Sequence, residues 1–256
     1  MFLDGYRQVT SYPVSSDTGL ALALFMVFIF TFDQEFERAR HRGDSHTYQE
    51  LTETARVSEI WMAMEAYLRE FDRDEVILTH LRATFAANFE QYCSDVTAAS
   101  HRPEFALTLR LAEQDSGMTL RTCYEIIRLF NDHRSHPECA RQFYGIGMAG
   151  KFLDDIRDMV DDVTAGEPNL LHSLVAGHAR ERVAVEEALA SRTRIDLSWW
   201  QRTCPDTLHS FFEYTFRYYD LVPAAKLRLP LDICHSLLYS RWYWRRPIHR
   251  SPTEVH

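Results

Sequence analysis

Apolar residues recur at three- and four-residue intervals along almost every long segment of this 256-residue chain, and such spacing predicts α-helices. Ile60, Met64 and Tyr67 form one such series. Only nine glycines and nine prolines interrupt the chain, which is sparse for a β-rich protein. Eight breaks, six of which contain Gly or Pro, predict roughly nine helices. They lie at 41–46, 71–75, 101–104, 115–117, 133–138, 165–169, 192–197 and 220–226. No segment resembles an interdomain linker, so we predict one all-α domain over residues 1–256.

The net charge and the cysteine content limit the kinds of partner and site that the chain is expected to have. The formal net charge is −9 and no stripe rich in lysine or arginine occurs, which argues against nucleic acid as a partner. The five cysteines are spread widely, without a Cys-x-x-Cys pair. A disulfide framework or a thiolate zinc site is therefore not expected, and the chain fits the reducing cytoplasm.

The most apolar run is "GLALALFMVFIFTF", residues 19–32. Its 14 residues are too few for a membrane span, which needs about 20. It also lacks the basic flank and small-residue cleavage site of a signal peptide. We therefore predict a buried helix and no transmembrane segment.

The segment "KFLDDIRDMVDD", residues 151–162, carries five aspartates in an otherwise apolar, helix-forming context. On a helix Asp154, Asp158 and Asp161 point the same way, and Asp155 and Asp162 flank them. An exposed acidic face is one interpretation, although such faces usually interleave acids with cations. The other interpretation is that the repulsion between these carboxylates is relieved by a bound cation.

A second acidic cluster, "FDQEFE", follows the apolar run directly and places Asp33 and Glu37 one helical turn apart. Alone, it is typical of an ordinary solvated helix end. Together the two clusters suggest two carboxylate walls around Mg²⁺ and a diphosphate, because Mg²⁺ takes oxygen ligands and shares them with phosphates.

These two acidic segments resemble the metal-binding motifs of class I isoprenoid synthases, the all-α family of terpene cyclases, trans-prenyltransferases and squalene/phytoene synthases. Asp154, Asp158 and Asp162 match the three ligand positions of the second terpene-cyclase motif, with aspartates in place of the usual Asn, Ser and Glu. "FDQEFE" resembles a degenerate first motif, in which Gln34 replaces the second acid. The Arg-Asp pair 157–158 also resembles squalene/phytoene synthases.

Further residues match the cyclase pattern in position. Arg110, 44 residues before Asp154, resembles the arginine that senses the diphosphate. Asp115 and Gly117, in "DSG", resemble the helix break whose glycine carbonyl faces the substrate. Arg241 and Tyr243, in "SRWYW", resemble the Arg-Tyr pair that binds the diphosphate.

The resemblance implies a helical bundle around a central apolar cavity that binds up to three Mg²⁺ ions and a linear prenyl diphosphate. Phe28 and Ile29, about one turn before Asp33, would lie deeper in the cavity and favour a substrate of farnesyl or geranylgeranyl size. The implied activity is that of a terpene synthase, and a homodimer is compatible with it. A prenyltransferase, a squalene/phytoene-type synthase and a non-enzymatic helical interaction protein stay open as alternatives.

Overall fold

The computed structural model describes residues 2–42, 48–71, 76–99, 104–131 and 134–239. Within these ranges the chain forms thirteen α-helices and one π-helical turn, and no β-strand. The elements in chain order are α1 (Phe2–Thr10), α2 (Asp17–His41), α3 (Tyr48–Thr52), α4 (Ala55–Arg69), α5 (Val76–Ala99), α6 (Phe105–Ala112), the π-helical turn (Glu113–Gly117), α7 (Met118–Asn131), α8 (Pro137–Ala165), α9 (Leu170–Val175), α10 (Ala179–Ala190), α11 (Leu197–Thr203), α12 (Pro205–Tyr219) and α13 (Ala225–Leu238). The predicted all-α class is confirmed for the described part of the chain.

The described part of the chain has more helices than the roughly nine predicted, because it breaks at more places than the sequence indicates. Four further breaks occur in the described ranges, at 11–16, 53–54, 176–178 and 204. A proline disfavours helical backbone at the residue before it, and Cys204, which precedes Pro205, has φ −132° and ψ 56°. Ser11, directly after α1, adopts a left-handed conformation with φ 61°.

The 29-residue helix α8 lies at the centre of the fold. It packs against α1, α7, α9, α12, α13 and the π-helical turn. Phe143, Phe152, Ile156 and Met159 of α8 are fully buried. Since burying each such side chain stabilises the fold by roughly 1.5–3 kcal/mol, α8 supplies much of the core energy.

Helix α2 carries the apolar run, which is predicted to form a buried helix and is buried on one side only. Phe28 and Phe32 are fully buried, whereas Val27 and Phe30 are 49% and 61% exposed. In the described ranges α2 is the one helix long and apolar enough to cross a membrane, over Asp17–Arg40 with a mean hydropathy of 1.6. A core helix of a bundle meets the same criterion, so this single helix is a weak indication of a membrane span.

Two glycines of the run "YGIGMAG" let α8 approach neighbouring backbone closely. A Cβ atom at Gly147 would overlap the carbonyl oxygen of Ser116 in the π-helical turn. One at Gly145 would lie 3.0 Å from the carbonyl oxygen of Tyr218. Gly150, in the same helix, has open space at the corresponding position.

This difference between glycines of one helix can be tested. Gly147→Ala should lower the free energy of unfolding by about 1–3 kcal/mol, because its methyl group must push two backbones apart. Gly150→Ala should raise it by up to about 1 kcal/mol, since alanine favours the helix and meets no neighbour. Urea unfolding followed by circular dichroism measures both. Equal tolerance at the two positions would contradict the close approach of α8 to the π-helical turn.

Candidate functional site

A pocket lies where α2, α5, α6 and α8 meet beside the π-helical turn and the α8–α9 loop. Six carboxylates are among the described residues that line it, namely Asp33, Glu37, Asp115, Asp155, Asp162 and Glu167. Arg40 and Lys151 add positive charge and Tyr92 adds a phenol. The pocket has a volume of about 130 Å³, and we refer to it as the acidic pocket.

Helix α2 forms one wall of the acidic pocket. Asp33 and Glu37 are one helical turn apart, so both side chains lie on the face that lines the pocket. Arg40 follows on the same face, and its Nη2 is 2.7 Å from Oε1 of Glu167 in the α8–α9 loop. This ion pair joins the end of α2 to the α8–α9 loop.

Helix α8 forms the second wall, with Lys151, Asp155 and Asp162. At about 100° per residue, these three positions fall within a narrow arc of the helix. Asn169, the N-cap of α9, donates from Nδ2 to Oδ2 of Asp162 and to the backbone carbonyl of Asp155, both at 2.8 Å. These contacts hold the Asp162 carboxylate in a defined position.

The predicted helix break at 115–117 is part of a π-helical turn between α6 and α7. Such a turn inserts an extra residue into the helix and often marks a functional site. Asp115 lines the acidic pocket from this turn, and its Oδ2 accepts a hydrogen bond from Ser116 Oγ at 3.2 Å. The turn therefore contributes a carboxylate from a third element.

Burial and mutual repulsion oppose ionisation of these carboxylates. Burial, assisted by the charges of Asp115 and Glu37, raises the pKa of Asp33 to about 7. Burial also raises the pKa of Asp162 to about 7, against the lowering effect of its hydrogen bond from Asn169. When fully ionised, six carboxylates share the pocket with two cations, a formal excess of four negative charges. The site therefore suits a cation, or an anion that binds together with cations.

Four of the predicted site residues meet at the acidic pocket, namely Asp33, Glu37, Asp115 and Asp162. Asp158 is partly buried but does not line it, and its Oδ1 is 3.2 Å from Nε of Arg157. Burial and the charge of Asp154 raise the pKa of Asp158 to about 6. Asp154 itself does not line the pocket, because its side chain is 55% exposed and lies near Arg157 instead.

The other predicted residues are placed differently. Arg110 is exposed in the last turn of α6 and does not line the acidic pocket. Gly117 is buried, and a Cβ there would lie 2.7 Å from the ring of Tyr144 on α8, so this glycine serves close packing. Arg241 and Tyr243 lie outside the described residues.

The structure adds pocket residues to which the sequence prediction assigns no role, namely Arg40, Tyr92, Lys151, Asp155 and Glu167. Lys151 and Asp155 belong to the acidic segment, and their i,i+4 spacing was a usable signal for an ion pair. Tyr92 and Glu167 come from other elements and carry no local signal, because only the packing of α5 and the α8–α9 loop brings them in.

The donor chemistry of the acidic pocket fits Mg²⁺, although its spacing does not form a ready site. In the described ranges, no three His, Cys, Asp or Glu side chains are close enough to hold a metal ion. Mg²⁺ binds carboxylate oxygens and commonly fills its shell with water and phosphate oxygens. An ion at these walls would therefore need ligand oxygens to complete its coordination.

Similarity to known proteins adds no assignment. No family model, curated protein or solved structure matches this chain. The resemblance to class I isoprenoid synthases therefore stays a prediction from motifs, and the acidic pocket is the observation on which a function can be based.

The raised pKa of Asp33 predicts a pH-dependent stability in the absence of divalent cations. Between the ordinary carboxyl pKa of 3.8 and about 7, the folded state retains a proton that the unfolded chain has lost. The free energy of unfolding therefore falls as pH rises from 3.8 to about 7, and above about 7 the loss is complete. Asp33→Asn removes the ionisation, so its Tm should exceed that of the wild type by roughly 5 °C at pH 8 and by less at pH 5.

Thermal unfolding in EDTA at both pH values measures this effect. Asp161→Asn is the matched control, because Asp161 is an exposed aspartate of α8 that does not line the acidic pocket. An equal gain from both substitutions would show that overall charge, and not burial in the acidic pocket, determines the pH dependence.

Proposed function

We propose that the protein is a Mg²⁺-dependent class I terpene synthase that ionises a linear prenyl diphosphate of farnesyl or geranylgeranyl size. The observation that carries this proposal is the convergence on one pocket of Asp33 and Glu37 from α2, Asp162 from α8, and Asp115 from the π-helical turn. Burying several carboxylates together costs free energy, and such costs concentrate at functional sites. A purely structural packing arrangement has no need of them.

Each group has a role in this proposal. When bound, Mg²⁺ would supply Lewis-acid stabilisation of the negative charge that develops on the departing diphosphate. Asp33, Glu37 and Asp162 would provide carboxylate oxygens for the ions, and the buried setting would strengthen these electrostatic interactions. Phe36 and Leu111 add apolar side chains to the lining of the pocket. No protein nucleophile is required, because departure of the diphosphate itself generates an allylic cation.

The acidic pocket has room for a diphosphate-sized head group but not for a prenyl chain. Its volume of about 130 Å³ is close to that of cavities that hold benzene, about 150 Å³. On α2, two turns before Asp33, Met26 packs against the buried Cys123, and the two sulfur atoms are 4.0 Å apart. Phe28, predicted to face the cavity, packs instead against Trp61 with ring centroids 4.9 Å apart. We therefore propose that the prenyl chain displaces apolar side chains, for which the flexible methionine is suited.

Incubation with geranyl, farnesyl and geranylgeranyl diphosphates, each with and without Mg²⁺, tests the activity. We expect one allylic diphosphate to be consumed only with Mg²⁺, to release diphosphate and to yield a hydrocarbon or alcohol detectable by gas chromatography–mass spectrometry. Consumption only in the presence of isopentenyl diphosphate or a second prenyl diphosphate would identify a prenyltransferase or a squalene/phytoene-type synthase. No consumption under any condition would contradict the proposal.

Substitutions of Asp162, which lines the acidic pocket, and of its exposed neighbour Asp161 can be compared to test the role of the pocket. Asp162→Asn should reduce turnover roughly 100-fold or more, because it removes a charge that would act on the leaving group through bound cations. Asp161→Asn should retain wild-type turnover, since Asp161 is exposed and does not line the acidic pocket. Initial rates of diphosphate release measure both, and unimpaired turnover by Asp162→Asn would remove this residue from the site.

A further inference from the structure

Lys151 brings a positive charge to the α8 wall of the acidic pocket. Its Nζ is 3.0 Å from Oδ1 of Asp155, one helical turn further along, and its side chain is 26% exposed. The sequence contains one other lysine, Lys226, which is exposed on α13. An ammonium group carries three N–H donors, so the contact with Asp155 leaves donor capacity for a ligand in the pocket.

Asp155 is committed to holding Lys151. Its Oδ2 accepts a hydrogen bond from the backbone N–H of Leu170 at 2.6 Å, and the residue is only 1% exposed. Turning this carboxylate toward an ion would leave a buried N–H unsatisfied and would separate the lysine from its counter-ion. Asp155 is therefore a positioning residue for Lys151 and not a metal ligand.

The described lining of the acidic pocket contains two ion pairs. Arg40 forms an ion pair with Glu167, and Lys151 forms one with Asp155. The other four lining carboxylates are Asp33, Glu37, Asp115 and Asp162. Lys151 is the basic residue that the α8 wall contributes to this lining.

We propose that Lys151 is a direct ligand of the diphosphate. The identity of the anion rests on the proposed function, whereas the position of the ammonium rests on its contact with Asp155. A lysine ammonium is a compact point charge that phosphate oxygens accept readily. It would hold the diphosphate from the α8 wall while the carboxylates act through metal ions.

Calorimetric titration with inorganic diphosphate in excess Mg²⁺ tests the proposal. Lys151→Gln should weaken diphosphate binding at least about tenfold, the loss of one charge-assisted hydrogen bond. Because this change leaves Asp155 buried without its partner, the double variant Lys151→Gln/Asp155→Asn is measured beside it. The double variant removes both charges, should stay folded and should show the same loss. Lys226→Gln, the matched control, should bind like the wild type.

The outcomes distinguish this inference from the proposed function. Wild-type affinity in the double variant would overturn the inference, and so would recovery of its affinity at tenfold higher Mg²⁺, since Lys151 would then act only through the ions. Failure of the wild type to bind diphosphate with Mg²⁺ would overturn both. Lys151-dependent diphosphate binding without consumption of any prenyl diphosphate would support the inference and contradict the proposed function alone.

Discussion

The close approach of α8 to the π-helical turn is the contact on which the candidate site depends. Gly147 has no side chain to separate the two backbones, and Ser116 of the turn contacts α8 there. Lys151 lies one helical turn beyond Gly147 on α8, and Asp115 lies next to Ser116 on the π-helical turn. One backbone contact therefore places Asp115 beside the α8 wall, and a bulkier residue at 147 would alter both the packing and the pocket.

Helix α8 carries both fully buried apolar side chains and carboxylates that are costly to ionise. Phe152, Ile156 and Met159 bury their side chains fully, while burial raises the pKa of Asp162 to about 7. The apolar face can stabilise the fold enough to tolerate carboxylates that are costly to ionise on the neighbouring face. Buried carboxylates that lower the stability of the fold commonly occur at binding or catalytic sites, where binding of a ligand raises the stability again.

The sequence predicts the fold class well because helical periodicity and helix breaks are local properties. It also identifies the two acidic walls, since Asp33, Glu37 and Asp162 lie in conspicuous local patterns. It does not predict which side of α8 faces the pocket, because apolar residues surround the aspartates and leave more than one register open. Tyr92 and Glu167 depend on contacts between distant segments, which no local pattern encodes.

The sequence departs from the isoprenoid-synthase motifs that it resembles at positions whose place in the two walls can be described. Gln34, which replaces an acid, is exposed on α2 and does not line the pocket, so its neutrality removes no carboxylate from that wall. On α8 the pocket face passes through Asp155 rather than Asp154. One helical turn before Asp154 lies Gly150, whereas one turn before Asp155 lies Lys151. The α8 wall therefore carries a lysine-aspartate pair in addition to the motif residue Asp162.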